Sequence, residues 1–314
     1  MPRLRTALLA LSLAALAGCG SATRKLPEGA AITLAHADRY AHADAYVGVY
    51  TSSAWGFSTN TFWIEGPDGV VVVDTQFLPS ATEEMIDWVE RATGKSIVLA
   101  VVLHPNPDKF NGAATLQAHG IHVVTSEQVK ALIPGVHEKR LRSFYSRYQP
   151  DYPKDAPVLD TFGPGTTSLT AAGLQLHAYV MGPGCSDAHV VLEWRGHLFT
   201  GDLVASQSHS WLELGHTQEW IQRLGELRAM HPLYVHPGRG PSGGPELIDG
   251  EEVYLRRVEA IVAAEKPAQP ARPEDIQRVK RAVMAEYPSY DYDVFLDIGL
   301  PAVWERQQRL LRGP

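Results

Sequence analysis

The 314-residue sequence is poor in cysteine, has no block of basic residues, and offers no apolar run suited to crossing a bilayer. Two cysteines in a chain of this length exclude a disulfide scaffold and a four-cysteine structural zinc site. The 28 Lys and Arg against 35 Asp and Glu leave a net charge of −7 without a cationic cluster, which excludes a nucleic-acid binder built on phosphate contacts. The apolar stretch from Ala7 to Ala17, broken only by Ser12, is too short to span a membrane. Repeats and low-complexity tracts are absent as well. What is present, 45% hydrophobic and 20% charged residues, describes a globular chain with room for one large domain or two small ones.

Arg3 and Arg5 precede the N-terminal apolar stretch and Gly18-Cys19-Gly20 follows it, the layout of a secretory signal. Leu16-Ala17-Gly18-Cys19 resembles the lipobox of bacterial lipoproteins. That resemblance implies a signal peptide over 1–18, lipid modification of Cys19, and an exported protein anchored to a bacterial membrane and facing the periplasm. Residues 19–43 are mostly small or polar and suit a tether.

From Tyr46 onward, strand and helix signals alternate. Tyr46 to Tyr50, Thr61 to Glu65 and the β-branched run Val70 to Val73 predict strands, with a turn at Pro67-Asp68-Gly69. Met85, Trp88, Val89 and Ala92 recur at helical spacing before Gly94. Ile97 to Leu103 reads as a strand buried on both faces, followed by a helix near Ala113 to His119 and a strand from Ile121 to Thr125. The second half predicts strands at Val158 to Phe162, Leu174 to Val180, His189 to Trp194, His197 to Thr200 and Leu233 to His236, with a helix carrying Trp220, Leu224 and Leu227. Trp63, Trp88, Trp194 and Trp220 are expected in the core. After Gly250 the pattern turns helical, with a Pro-rich break at 267–273 and two further helices, expected to act as a cover without chemistry.

Chemistry concentrates in loops that follow strands. His104-Pro105-Asn106-Pro107-Asp108-Lys109 comes first, placing ligand-type side chains at alternate positions past a strand end. Gly182-Pro183-Gly184-Cys185-Ser186-Asp187, Thr200-Gly201-Asp202 and His236-Pro237-Gly238-Arg239-Gly240 share that placement, as does the strand end at Asp74. In this order and spacing the five segments, over about residues 46 to 240, resemble the metallo-β-lactamase superfamily. The resemblance implies an α/β fold, specifically the αββα four-layer metallo-β-lactamase-like sandwich. It places the domain over 44–250, with a helical C-terminal extension over 251–314 and a one- or two-zinc site at the edge between the sheets.

The departures from the family's pattern bear on function. His104 matches the first histidine, Asp108 the aspartate of the first motif, Lys109 an accepted variant and Asp202 the bridging aspartate. Asn106 stands in place of the second histidine as a weak amide donor, Cys185 replaces a histidine, and Arg239 replaces the last one. A guanidinium has no lone pair to give a metal; it can instead pair with Asp108 or Asp202 as a forked donor. The resemblance therefore implies at most one zinc, with His104, Asp108, Cys185 and Asp202 as the ligand set. Asp108 is expected to orient the attacking water and accept its proton, and Lys109 or Arg239 to hold a substrate carboxylate.

Three readings follow. A single-zinc hydrolase would cleave a lactam, lactone, ester or thioester of a small-molecule substrate. A metal-free relative would bind a ligand or serve as a scaffold, with Lys109 and Arg239 holding an anion or neutralising the aspartates. Alternatively, Cys185 would act as a nucleophile without metal. Against these stand plainer roles: Cys185 as an inert buried thiol, Lys109 as a solvated charge, Asp74 as a loop brace, and His189, His209 and His236 as satisfied polar residues.

Overall fold

The computed structural model describes residues 36–39 and 46–312; the signal segment, Cys19 and most of the tether lie outside the described residues. Seven strands line up in chain order in the first sheet: β1 (His36–Arg39), β2 (Val47–Thr51), β3 (Asn60–Gly66), β4 (Gly69–Val73), β5 (Ile97–Val101), β6 (His122–Thr125) and β7 (Asp160–Thr161). Pairing is antiparallel from β1 to β4 and parallel from β4 to β7. Part of the stretch expected as a tether is thus a strand, because His36–Arg39 pairs with β2.

The second sheet contains β8 (Thr167–Ala171), β9 (Leu174–Met181), β10 (His189–Trp194), β11 (His197–Ala205) and β12 (Tyr234–Arg239), in the spatial order β12-β11-β10-β9-β8. Alternation along β10 shows the layering: Val190, Leu192 and Trp194 join a core shared with the first sheet, whereas Val191 joins a core under the C-terminal helices. Helices α1 (Pro79–Thr93), α2 (Pro107–Phe110), α3 (Ala113–Ala118) and α4 (Glu127–Tyr148) follow first-sheet strands. Helices α5 (Thr217–Ala229), α6 (Glu246–Ala264), α7 (Pro273–Glu286) and α8 (Val294–Arg312) supply the second core. Two sheets packed between helical layers form the αββα sandwich. Among the described residues no helix is long and apolar enough to cross a membrane.

Local chemistry accounts for most boundaries. Pro79 opens α1, and Gly94 closes it in the left-handed conformation at φ 68°. Two expectations differ in detail. Trp88 is 37% exposed on the edge of the α1 stripe, one position away from buried Val89, and Arg91 lies over its ring. Val98 is 38% exposed within β5, so that strand is not covered along its whole length.

Candidate active site

The site forms where the C-terminal ends of the strands converge. Asp74, just past β4, adopts a left-handed φ of 67° and accepts the Leu103 backbone N–H at 2.9 Å, bracing the turn that aims His104 inward. On the opposite sheet, β11 carries Asp202 and β12 ends at Arg239. Arg239 bridges to Thr59 beside β3, and Asn60 donates to the Pro237 and Gly240 carbonyls at 3.0 and 2.8 Å. These contacts draw the edges of the two sheets together. Gly238 makes the approach possible: a Cβ there would lie 2.0 Å from Asp202 Oδ1 and 2.8 Å from Lys109 Nζ.

One half of the site is a closed ion cluster. The Arg239 guanidinium forks, Nη1 to Asp202 Oδ2 at 2.6 Å and Nη2 to Asp108 Oδ2 at 2.5 Å, while Nε donates to the Phe57 carbonyl at 3.1 Å. Lys109 Nζ lies 2.9 Å from Asp202 Oδ1, 3.0 Å from Asp108 Oδ2 and 3.8 Å from Asp74 Oδ2. All five groups are buried, and Lys109 is fully so rather than solvated. Burial pushes Asp108 and Asp202 toward the neutral form, but Lys109 and Arg239 outweigh it and hold both carboxyl groups below the usual range. At Asp74 burial wins over Lys109 and His104, raising its pKa to about 7.

The other half is a nitrogen and sulfur cluster. His104, Cys185 and His189 each present one donor atom within 4.8 Å of the others, and all three are buried. His189 Nδ1 lies 3.0 Å from the Gly182 carbonyl, and a proton held there turns the lone pair of Nε2 toward Cys185 Sγ at 3.2 Å and the Ser186 N–H at 3.3 Å. His104 Nδ1 meets Ser186 Oγ at 3.1 Å, and its Nε2 is buried without a hydrogen bond, 3.6 Å from Asp202 Oδ2. Burial, then the Asp202 charge, push the Cys185 thiol well above its usual pKa, which disfavours the thiolate that a metal-free nucleophile needs. Burial also lowers His189 to a pKa of about 3, so its imidazole is neutral.

The profile of the metallo-beta-lactamase superfamily matches residues 54–239, which span every side chain of both clusters. The chain belongs to the metallo-β-lactamase superfamily. No curated protein matches the sequence. Among solved structures, it is similar to the metallo-beta-lactamase from Pontibacter korlensis, at 22% identity over 71% of this chain and 99% of that one, with a TM-score of 0.55. The DIM-1 metallo-beta-lactamase exposed to ceftazidime aligns at 19% identity over 74% and 99% of the two chains, TM-score 0.56. The mono-zinc form of FIM-1 from Pseudomonas aeruginosa aligns at 20% identity over 68% and 92%, TM-score 0.52. At these identities the likeness is one of fold.

Superfamily members usually hold zinc, and the two halves of this site fit it differently. The His104, Cys185 and His189 set fits one ion: two imidazoles and a thiol converge, and each imidazole has its other nitrogen held by a neighbour. The Asp108 and Asp202 pair, expected as ligands, fits a second poorly, because two cations of the chain already lie against both oxygens of Asp202 and Oδ2 of Asp108. Asn106 lines two cavities and is not part of the donor cluster. Lys109 lines neither cavity, and Arg239 is committed to the aspartates, so neither is free to hold a substrate carboxylate as expected. The sequence reading sets His189 aside as a satisfied polar residue, although its position four residues after Cys185, at the start of β10, is the signal that brings it into the cluster.

Proposed function

We propose that the chain is a hydrolase of lactam, lactone, ester or thioester bonds that works with a single zinc ion held by His104, Cys185 and His189. The observation that carries this reading is the division of the site. Three N and S donors lie within 4.8 Å of one another, while the carboxylates of the second position are closed by Lys109 and Arg239. Zinc in such a set supplies a Lewis acid for a carbonyl oxygen and brings a bound water toward neutral pKa.

The chain's own groups do the rest. Asp108 and Asp202 line the cavity beside the cluster and remain anionic near neutral pH. A carboxylate held that low is a weak base, so Asp108 orients rather than takes a proton.

Metal analysis of the purified chain tests the proposal. One zinc per chain, lost in Cys185→Ala and in His189→Ala, is the expected result. A chain that stays metal-free after zinc reconstitution overturns it and leaves the ligand-binding reading, for which the internally neutralised aspartates speak. The lipid anchor remains a proposal resting on Leu16-Ala17-Gly18-Cys19. Cys19→Ser should release the exported protein from the detergent fraction, and continued partition into detergent would contradict the anchor.

A further inference from the structure

The reactive groups of the site are shut in. His104, His189 and Lys109 are fully buried, and Cys185, Asp108 and Asp202 are nearly so. Two small cavities reach them. One, of about 30 Å³, opens on Asp108, Asp202 and Arg239 beside the rings of Phe144, Trp211 and Phe295; the other, of about 70 Å³, opens on Cys185 and Ser186. Each has room for a few water molecules, and neither admits an acyl substrate. Arg140 of α4 lines both, and its partner Glu213 lines the second.

Glu213 belongs to a strap, residues 206–216, that runs from the end of β11 to the start of α5. The C-terminal extension holds the first half of the strap. Asp291 exchanges backbone hydrogen bonds with Gln207 and His209, Ser210 Oγ donates to Glu251 Oε1 at 2.6 Å, and His209 Nδ1 meets Tyr254 Oη at 2.9 Å. The residues expected as a cover without chemistry thus fasten a covering segment of the site. The second half is tied by charge to the opposite wall. Glu213 accepts from both terminal nitrogens of Arg140, Nη1 at 3.1 Å, from Lys139 Nζ at 2.6 Å and from Trp211 Nε1 at 3.2 Å. The Arg140 guanidinium also lies 4.9 Å from the Trp211 ring centre. Burial pushes the Glu213 carboxyl up, but the hydrogen bonds from Arg140 and Lys139 outweigh it and hold its pKa at about 2, so the tie keeps its charge at neutral pH.

We propose that Arg140 and Glu213 form a latch: closed, it holds the strap over the donor set, and released, it joins the two cavities into one cleft that admits substrate to Cys185, His104 and Asp202. Lys139 is about half exposed, so water reaches the edge of the tie and opening is a local event that leaves both cores intact. The latch is a property of the chain with or without metal, and only its bearing on turnover rests on the hydrolase reading.

Alkylation of Cys185 by iodoacetamide, followed on the EDTA-treated full chain by mass spectrometry of the Cys185 peptide at one fixed pH, tests the latch. Glu213→Gln keeps the size of the side chain and removes its charge; it is expected to speed the reaction at least about tenfold. Lys139→Met, at a half-exposed position that leaves the fold intact should Glu213→Gln fail to fold, is expected to speed it about threefold. Val89→Ala loosens the core under α1, away from the strap, and should leave the rate unchanged in the folded chain. Unchanged alkylation in folded Glu213→Gln and Lys139→Met chains overturns the latch, as does equal acceleration in Val89→Ala, which would mean that general loosening exposes the thiol. Absence of ester turnover from every zinc-reconstituted chain overturns the hydrolase reading alone, because the alkylation rates decide the latch without it.

Discussion

The two halves of the site sit side by side at one sheet edge, equally buried, with His104 Nε2 only 3.6 Å from Asp202 Oδ2. One half holds a thiol and two imidazoles, and its His189 stays neutral because burial depresses its pKa. The other holds full charges of both signs whose attraction outweighs the cost of burying them. The difference teaches that strand-end loops of this architecture can be closed in two ways: by donors that await an ion, or by side chains that carry the positive charge themselves. The arginine at position 239, with no lone pair to give a metal, serves as a counter-ion to both aspartates.

The largest expected effect comes from breaking the charged half. Arg239→Met leaves Asp108 and Asp202 with Lys109 alone and should cost about 3–5 kcal/mol in urea unfolding; a loss below about 1 kcal/mol would show that this half is not a brace. The donor half should respond to chelation instead. For zinc at about a hundred times its dissociation constant, EDTA should lower stability by about 2.7 kcal/mol, and Cys185→Ala should abolish that sensitivity. If EDTA destabilises both chains equally, the ion is bound elsewhere.

Acidity gives the smallest effects and separates the charged half from its surroundings. Asp108 and Asp202 lie below the usual 3.8 in the folded chain, so the stability they contribute is present above that pH and is lost as pH falls below it. Glu251, buried behind β11 where it accepts the Ala205 N–H and the Ser210 hydroxyl, has the opposite slope. Burial raises its pKa from 4.5 to about 7, so its contribution declines as pH rises across that interval. Denaturation midpoints should show acid loss blunted in Arg239→Met and the decline toward pH 7, to which Asp74 also contributes, made shallower in Glu251→Gln.

Much of the fold was legible because strands and helices differ in period. Val70 to Val73 announced β4 by β-branching, and Gly94 marked the end of α1. Helix α4 was not legible: Pro134 and Gly135 interrupt it, and its apolar residues do not line one face. Yet α4 supplies Phe144 and Arg140 to the cavity. The five site loops were recognisable from their order along the chain, whereas partnership across the site was not. His189 joins Cys185 because its ring folds back over the Gly182 to Ser186 loop, and Phe295 reaches the site from 56 positions beyond Arg239. Such contacts depend on how the elements pack, which local pattern does not encode.

Gly238 and Arg239 together have a consequence for how the molecule is assembled. Because Gly238 lets its strand lie against Asp202 and Lys109, one guanidinium reaches Asp108 after the first sheet's β5, Asp202 on the second sheet's β11 and the Phe57 carbonyl. The seam between the sheets is thus stitched by the polypeptide as it folds. It needs no delivery of an ion from the surroundings, cannot be loaded with the wrong metal, and stays closed through scarcity.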